Sequence, residues 1–337
     1  MMEELLHSSP GLVNFGIFFL LGTVLLLVVL GFVTYAILAE RKVLGFMQNR
    51  MGPNQLGGKW GLLQTAADVL KLLLKEDTIP KLADKPLFII APVIAFAPSF
   101  MVLATIPFTD KLQFADIGVG LLYYIAISGL TTIGAVTAGW ASNNKYALLG
   151  GMRAAAQMIS YEIPLVMSVL GIILLSGSLN LNDIVAAQAD TAWFIFLQPV
   201  AFFVFLIAAT AELTRVPFDL VEAESELIAG FHVEYSGFRW AFFMLSEYVY
   251  LFAMSALVTI LFFGGWLPLP FLGFIPGAIW FALKFSMVVF IFIWFRATFP
   301  RLRADHLMEF GWKVLVPIAL ANIFLTALGK ELFEYFF

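Results

Sequence analysis

Apolar residues run in eight long, nearly uninterrupted blocks, at about 14–38, 86–107, 117–139, 155–176, 193–211, 240–263, 274–295 and 312–331. A helix needs roughly 20 such residues to cross a hydrocarbon core about 30 Å thick. Each block therefore predicts a membrane-spanning helix. The second carries Pro86, Pro92, Pro98 and Pro107 and is expected to kink or break where neighbouring protein can satisfy the freed backbone groups. The last is interrupted early by Lys313 and Pro317. Continuous apolar runs replace the period-two alternation that an outer-membrane barrel strand requires. The expected fold is all-α: one integral-membrane domain over 1–337, with about eight transmembrane helices and amphipathic interfacial helices in its loops.

The polar stretches between the blocks fall at 39–85, 140–154, 212–239 and 296–313, and they hold 8, 2, 2 and 4 of the 19 lysines and arginines. Only Lys111 and Lys330 lie opposite, and Lys284 sits inside a block. The positive-inside bias places these four loops in the cytoplasm and both termini outside. The start, MMEELLHSSP, is acidic and lacks the basic stretch of a signal peptide, so the first block is expected to stay as an uncleaved span.

Composition narrows the chemistry. With 61% hydrophobic and 12% charged residues the chain is neither an ordinary soluble enzyme nor disordered. A net charge of −4 with no long basic run argues against nucleic-acid binding. There is no cysteine, so the chain can hold neither an iron–sulfur cluster nor a disulfide. The three histidines, His7, His232 and His306, never pair within one span, which excludes a bis-histidine haem. No metal site is expected, and any redox centre must belong to another chain.

The first interior loop reads AERKVLGFMQNRMGPN and then GGKWGLLQTAADVLKLLLKED. Gln64, Asp68, Lys71 and Lys75 recur at helical spacing, with Trp60, Leu62, Leu63, Leu70 and Leu74 covering much of the remainder. That is an amphipathic helix lying in the membrane surface, a passive anchor unless it borders a site. The charges Glu40, Arg41, Lys42 and Arg50 equally fit snorkelling at a helix end. The third interior loop, AELTRVPFDLVEAESELIAGFHVEYSGFR, carries Glu212, Asp219, Glu222, Glu224, Glu226 and Glu234 against only Arg215 and Arg239. A solvated acidic loop is the plain reading. The interleaved Val216, Phe218, Leu220, Val221, Leu227, Ile228 and Phe231 predict instead that part of it is buried. Carboxylates sharing a low-dielectric site cannot all ionise, and their titrations couple. Such a cluster can load and release protons.

Three charges lie deep in the spans: Glu162, Glu247 and Lys284. Both glutamates are expected on the order of 12 Å below the cytoplasmic helix ends. Charges at the bilayer centre cost about 2.5–3.5 kcal/mol even on insertion scales, so they face partners or a water path. A structural Lys–Glu pair is the plain alternative. The fourth loop sets Arg296, Arg301 and Arg303 around Pro300, either as positive-inside anchors or as bidentate docking groups for an acidic partner.

Five stretches carry a resemblance: AERKVLGFMQNRMGPN, LQTAADVLKLLLKE, GWASNNKYALLGGMRAAAQMISYEIPL, AELTRVPFDLVEAESELIAGFHVEYSG and RATFPRLRADHLMEFGWK. Together they resemble the membrane subunit called H in bacteria and 1 in mitochondria, of proton-pumping NADH:quinone oxidoreductase (respiratory complex I). The resemblance implies a subunit of a multisubunit translocase in the bacterial cytoplasmic (inner) membrane, with no catalytic residue or cofactor of its own. Quinone, ubiquinone or menaquinone, would be the substrate, and FMN and iron–sulfur clusters would sit in partner subunits. Those partners would be the peripheral quinone-site and iron–sulfur subunits and the small and antiporter-like membrane subunits. Carried over by position, Glu40, Arg41, Arg50 and Asp68 would line the quinone chamber. Glu162, Glu212, Glu222, Glu224, Glu226 and Glu247, with Lys284, would form the proton path. Arg296, Arg301 and Arg303 would dock and support the chamber. Two other readings remain open at this point: a stand-alone ion-coupled secondary transporter, and the equivalent subunit of a ferredoxin-, deazaflavin- or hydrogen-linked complex.

Overall fold

The computed structural model describes residues 12–110, 112–221, 228–269 and 273–336. Among them the secondary structure is helical, with no β-strand. Helices α1 (Leu12–Met47), α2 (Gln64–Leu74), α3 (Lys85–Met101), α4 (Gly120–Ser128), α5 (Leu130–Ala141) and α6 (Lys145–Ser176) make up the first half. Helices α7 (Leu181–Asp190), α8 (Pro199–Glu212), α9 (Gly237–Phe263), α10 (Gly277–Thr298), α11 (Ala304–Phe310) and α12 (Val316–Phe336) follow.

Seven helical stretches among the described residues are long and apolar enough to cross a membrane. The remaining apolar block, the fifth in chain order, yields the shorter α8, 14 residues or about 21 Å. The polar Gln198 and the proline at its first position stop the helix from extending backwards, and a single turn, Phe194–Leu197, precedes it. The proline-rich second block behaves as its sequence predicts: α3 accommodates Pro92 and Pro98 but tightens into a 3₁₀ turn at Val102–Thr105. In the last block a π-helical turn at Gly311–Leu315 joins α11 to α12, so Lys313 is absorbed without ending the span.

Two spans run past their apolar blocks. The helix α1 continues to Met47, so Glu40 and Arg41 ride on a helix end rather than in a loop. Its 36 residues measure about 54 Å, well beyond the hydrocarbon core. The helix α6 begins at Lys145, capped by the Asn144 side chain, and carries Gly150 against the backbone of Gly230 and Phe231. A Cβ on Gly150 would lie 2.7 Å from Gly230, so only glycine lets the Gly230 turn settle on this helix.

Almost the whole of α9 from Tyr248 to Phe263 is buried, with α1, α3 and α10 packed against it. Phe32 from α1 meets Phe252 and Phe285 here. The opposite face of α1, with Phe15, Phe19, Leu27 and Val28, is exposed apolar surface suited to lipid or to another apolar surface.

Candidate functional site

Glu40, two residues beyond the apolar block of α1, is buried, at 3% exposure. Three groups from distant parts of the chain converge on its carboxylate. Arg215, in the loop after α8, donates through Nη1 to Oε2 at 3.1 Å. The Tyr248 hydroxyl of α9 donates to the same oxygen at 3.0 Å. Arg296, at the end of α10, pairs with Oε1. The other terminal nitrogen of Arg215, Nη2, lies 3.2 Å from Oε1 of Glu247. Its guanidinium also stands over the Tyr248 ring, 4.9 Å from the centroid. Two arginines and two glutamates thus neutralise one another around a single buried guanidinium, which is how charges persist away from water. Burial opposes the charge of Arg215, but Glu40 and Glu247 outweigh it and raise the pKa above the ordinary arginine value.

The loop that carries Arg215 is held on both sides. Gln157 of α6 donates to the carbonyls of Ala211 and Phe218, at 2.7 and 2.8 Å. Arg301 donates to Asp219 at 2.8 Å, and the Leu302 amide to the Pro217 carbonyl at 3.0 Å. Tyr161 of α6 bonds the Leu307 carbonyl at 2.9 Å, tying α11 to the same region. The loop after α8 and the segment between α10 and α11 are therefore packed together.

Glu212, the last residue of α8, is buried and accepts a hydrogen bond from the Tyr250 hydroxyl of α9. It shares with Glu247 a cavity of about 80 Å³, also lined by Thr131, Thr214, Ser246 and Tyr250. That volume has room for a few waters. On the other side Glu212 neighbours Glu162 of α6 and Ser128 of α4. The Glu162 carboxylate lies against Gly129, the residue that separates α4 from α5, and a Cβ there would come within 3.2 Å of Oε1. Three acids, Glu162, Glu212 and Glu247, thus form a series across α6, α8 and α9.

The remaining candidates are placed as follows. Arg41 pairs with Asp68 at 2.5 Å, fastening α1 to α2 at a partly exposed position. The helix α2 buries only Thr65 and exposes Leu70, Leu73 and Leu74, with Trp60 exposed in the turn before it, as an interfacial helix would. Arg50 is exposed and bonds Gln48. Arg303 is exposed beside Asp305, with no contact to the acidic series among the described residues. Glu222, Glu224 and Glu226 lie outside the described residues. Lys284 is not with the acids: its ammonium donates to the carbonyls of Phe263, Gly265 and Leu267 at 2.7, 3.1 and 2.7 Å. It also lies 4.2 Å from the Trp193 ring, so it closes the carboxyl end of α9.

Sequence reasoning passed over Arg215, Tyr248 and Tyr250 as site residues. A signal for the first was present, as one of only two arginines in a loop of six acids. The tyrosines had none, because an aromatic in a buried span is ordinarily packing. His232, in the 3₁₀ turn Gly230–His232, is buried beside Phe231 and Trp240, and burial lowers its pKa to about 4.

Known proteins agree in one direction. Residues 21–327 match the family described as NADH dehydrogenase. The H subunit of NADH-quinone oxidoreductase from Anoxybacillus flavithermus is 80% identical over 333 residues, covering 99% of this chain and 100% of that protein. The proteins of the same name from a Geobacillus species and from Bacillus thuringiensis subsp. konkukian are each 78% identical over the same shares. A full-length match of this kind, on a polytopic helical bundle with buried acids, leaves one conclusion: the chain belongs to the H-subunit family of NADH-quinone oxidoreductase, the complex I of respiration.

Proposed function

We propose that this chain forms the quinone-access chamber where the membrane arm meets the peripheral arm, and that it couples quinone reduction to proton translocation through a series of carboxylates. The observation that carries the reading is Arg215, whose two terminal nitrogens serve Glu40 on one side and Glu247 on the other. A guanidinium shared in this way makes the two carboxylates compete. When the charge at Glu40 changes, through proton uptake by a quinone headgroup nearby, the hold of Arg215 on Glu247 changes with it. Glu247 then gains or releases a proton, and the cavity it shares with Glu212 passes the change toward Glu162. The chamber side would comprise Glu40, Arg41 and Asp68, under the amphipathic α2, with Arg50 at its rim.

The magnitudes are compatible. Moving one charge against about 150 mV costs roughly 3.5 kcal/mol. Two charges about 4 Å apart interact by about 4 kcal/mol at an effective dielectric of 20, and by only about 1.4 kcal/mol at 12 Å. A distant charge cannot drive a proton step, whereas neighbouring carboxylates and a shared arginine can.

In this reading electrons reach the quinone from an iron–sulfur cluster in a partner subunit, fed by FMN in another, since a chain without cysteine offers no thiolate ligands. Both termini face the exterior of a bacterial cytoplasmic membrane, and the Arg215 loop faces the peripheral arm. Lys284 is left out of the path and given a structural role at the end of α9.

The test uses the assembled complex. Glu212→Gln and Glu162→Gln are expected to leave NADH oxidation by an artificial acceptor intact while impairing quinone-linked turnover and pumping. Normal quinone-linked rates and proton stoichiometry in both variants overturn the coupling role. A photoreactive quinone that labels no residue in 40–68 overturns the chamber assignment.

A further inference from the structure

The surroundings of Glu212 go further than its membership of an acidic series. Its two carboxyl oxygens are not equivalent. Oε1 accepts from the Tyr250 hydroxyl, whereas Oε2 is buried and has no hydrogen-bond partner within the protein. Two hydroxyls of α4 stand on the same side: Ser128, next to both Glu212 and Tyr250, and Tyr124, which is 1% exposed and whose own hydroxyl is without a partner. A phenol buried in a membrane span with no bond for its hydroxyl is costly, because nothing replaces the water it gave up.

A neutral carboxyl group has one carbonyl oxygen and one hydroxyl oxygen, and a donor fixed on one of them makes that oxygen the carbonyl. Tyr250 donates to Oε1, so a proton on Glu212 resides on Oε2. We propose that Tyr250 is a positioning residue that makes Oε2 the oxygen of Glu212 that loads and releases the proton. The step is a proton transfer alone: the O–H bond on Oε2 breaks as one forms on the next acceptor, and the return reverses it. Tyr250 keeps its own proton throughout. This assignment rests on Glu212 being part of the proton path, and it adds the atom that works and the side chain that selects it.

The test is infrared difference spectroscopy of the intact complex on addition of NADH and quinone, with the Glu212 carbonyl band identified by its loss in Glu212→Gln. In Tyr250→Phe the band is expected to shift upward in frequency, because the carbonyl loses its donor. Tyr124→Phe, which removes a hydroxyl that has no bond to Glu212, is expected to leave the carbonyl frequency nearly unchanged. If Tyr250→Phe does not assemble, 3-fluorotyrosine at position 250 reads the same bond without changing the shape of the core. Its more acidic phenol should shift the band downward. A Glu212 band that ignores both replacements overturns the positioning role while leaving the path intact. If no band disappears in Glu212→Gln and that variant pumps normally, the proton-path reading itself fails.

Discussion

Arg215 and Glu40, 175 positions apart in the chain, meet at 3.1 Å inside the bundle, and the same guanidinium reaches Glu247 at 3.2 Å. Without it Glu247 loses its ion-pair partner and Glu40 keeps only Arg296. Removing one partner of such a cluster leaves an uncompensated charge, which typically costs about 3–5 kcal/mol. Arg215→Met is therefore expected to lower the stability of the membrane subunit sharply and to reduce the yield of assembled complex. Adding Glu40→Gln should recover part of the loss. Thermal unfolding of the purified complex and its subunit content measure both; equal damage in the single and double variants would disprove the shared-charge account.

Lys284 presents the opposite case, a buried charge bound to backbone rather than to acids. Lys284→Met is expected to cost on the order of 3 kcal/mol, because three carbonyls lose their donor together. Complexes that do assemble should pump at the normal stoichiometry. Thermal stability and the ratio of protons to electrons are the two readouts, and a normally stable variant that fails to pump would return Lys284 to the proton path.

The Arg41–Asp68 pair is partly exposed, with side-chain exposures of 45% and 26%. Solvent screening limits such a pair to about 0–1 kcal/mol, so Asp68→Asn should hardly change stability. What it loosens is the fastening of α2 to α1 beside the proposed chamber. The expected signature is a raised KM for a long-tailed quinone with little change in kcat. Steady-state kinetics with short- and long-tailed quinones decide it.

His232 gives the fold a pH dependence of known sign. Burial lowers its pKa from 6.5 to about 4, so in the folded chain it stays neutral where the unfolded chain already binds a proton. The stabilising effect is fully present above pH 6.5 and is lost progressively as pH falls from 6.5 to about 4. The full displacement corresponds to about 3 kcal/mol. Hydrogen exchange around 228–236 should therefore accelerate on acidification over that window in the wild-type chain. In His232→Phe the acceleration should be much weaker; an identical pH response would rule out His232 as its source.

The docking of the segment after α10 on the loop after α8 rests on Asp219 and Arg301, bonded at 2.8 Å. Asp219 is buried, whereas Arg301 is exposed, so the two substitutions should differ. Arg301→Gln leaves a buried carboxylate without its cation and is expected to expose the 299–303 segment to trypsin cleavage at Arg303. Asp219→Asn, which removes that charge, should do so less. Limited proteolysis of the detergent-solubilised complex compares them.

The helices and their approximate number followed from local composition, because a run of apolar residues has only one way to satisfy its backbone in lipid. The proline break after Met101 and the interfacial α2 were equally legible, since both depend on residues within a turn or two. Helix ends were less so: Glu40 stands on α1, which its charged residues do not stop and which ends only near Asn49, in the left-handed region, and Gly52. Of the candidate residues, Glu40, Glu247 and Arg296 are brought into one cluster, and Glu162 and Glu212 continue from it.

Charge placement along the sequence identified which groups were anomalous, but it could not pair them. Lys284 and Glu247 both look like membrane charges in need of a partner, yet one binds three carbonyls and the other binds Arg215. That choice is made over distances of a few ångströms between residues tens to hundreds of positions apart, and only helix packing sets them. Hydropathy is a sum over neighbours in the chain, so the sequence by itself determined the class and the spans. Hydrogen bonds and ion pairs are relations in space, so the sharing of Arg215 and the unequal oxygens of Glu212 were decided by the tertiary structure alone.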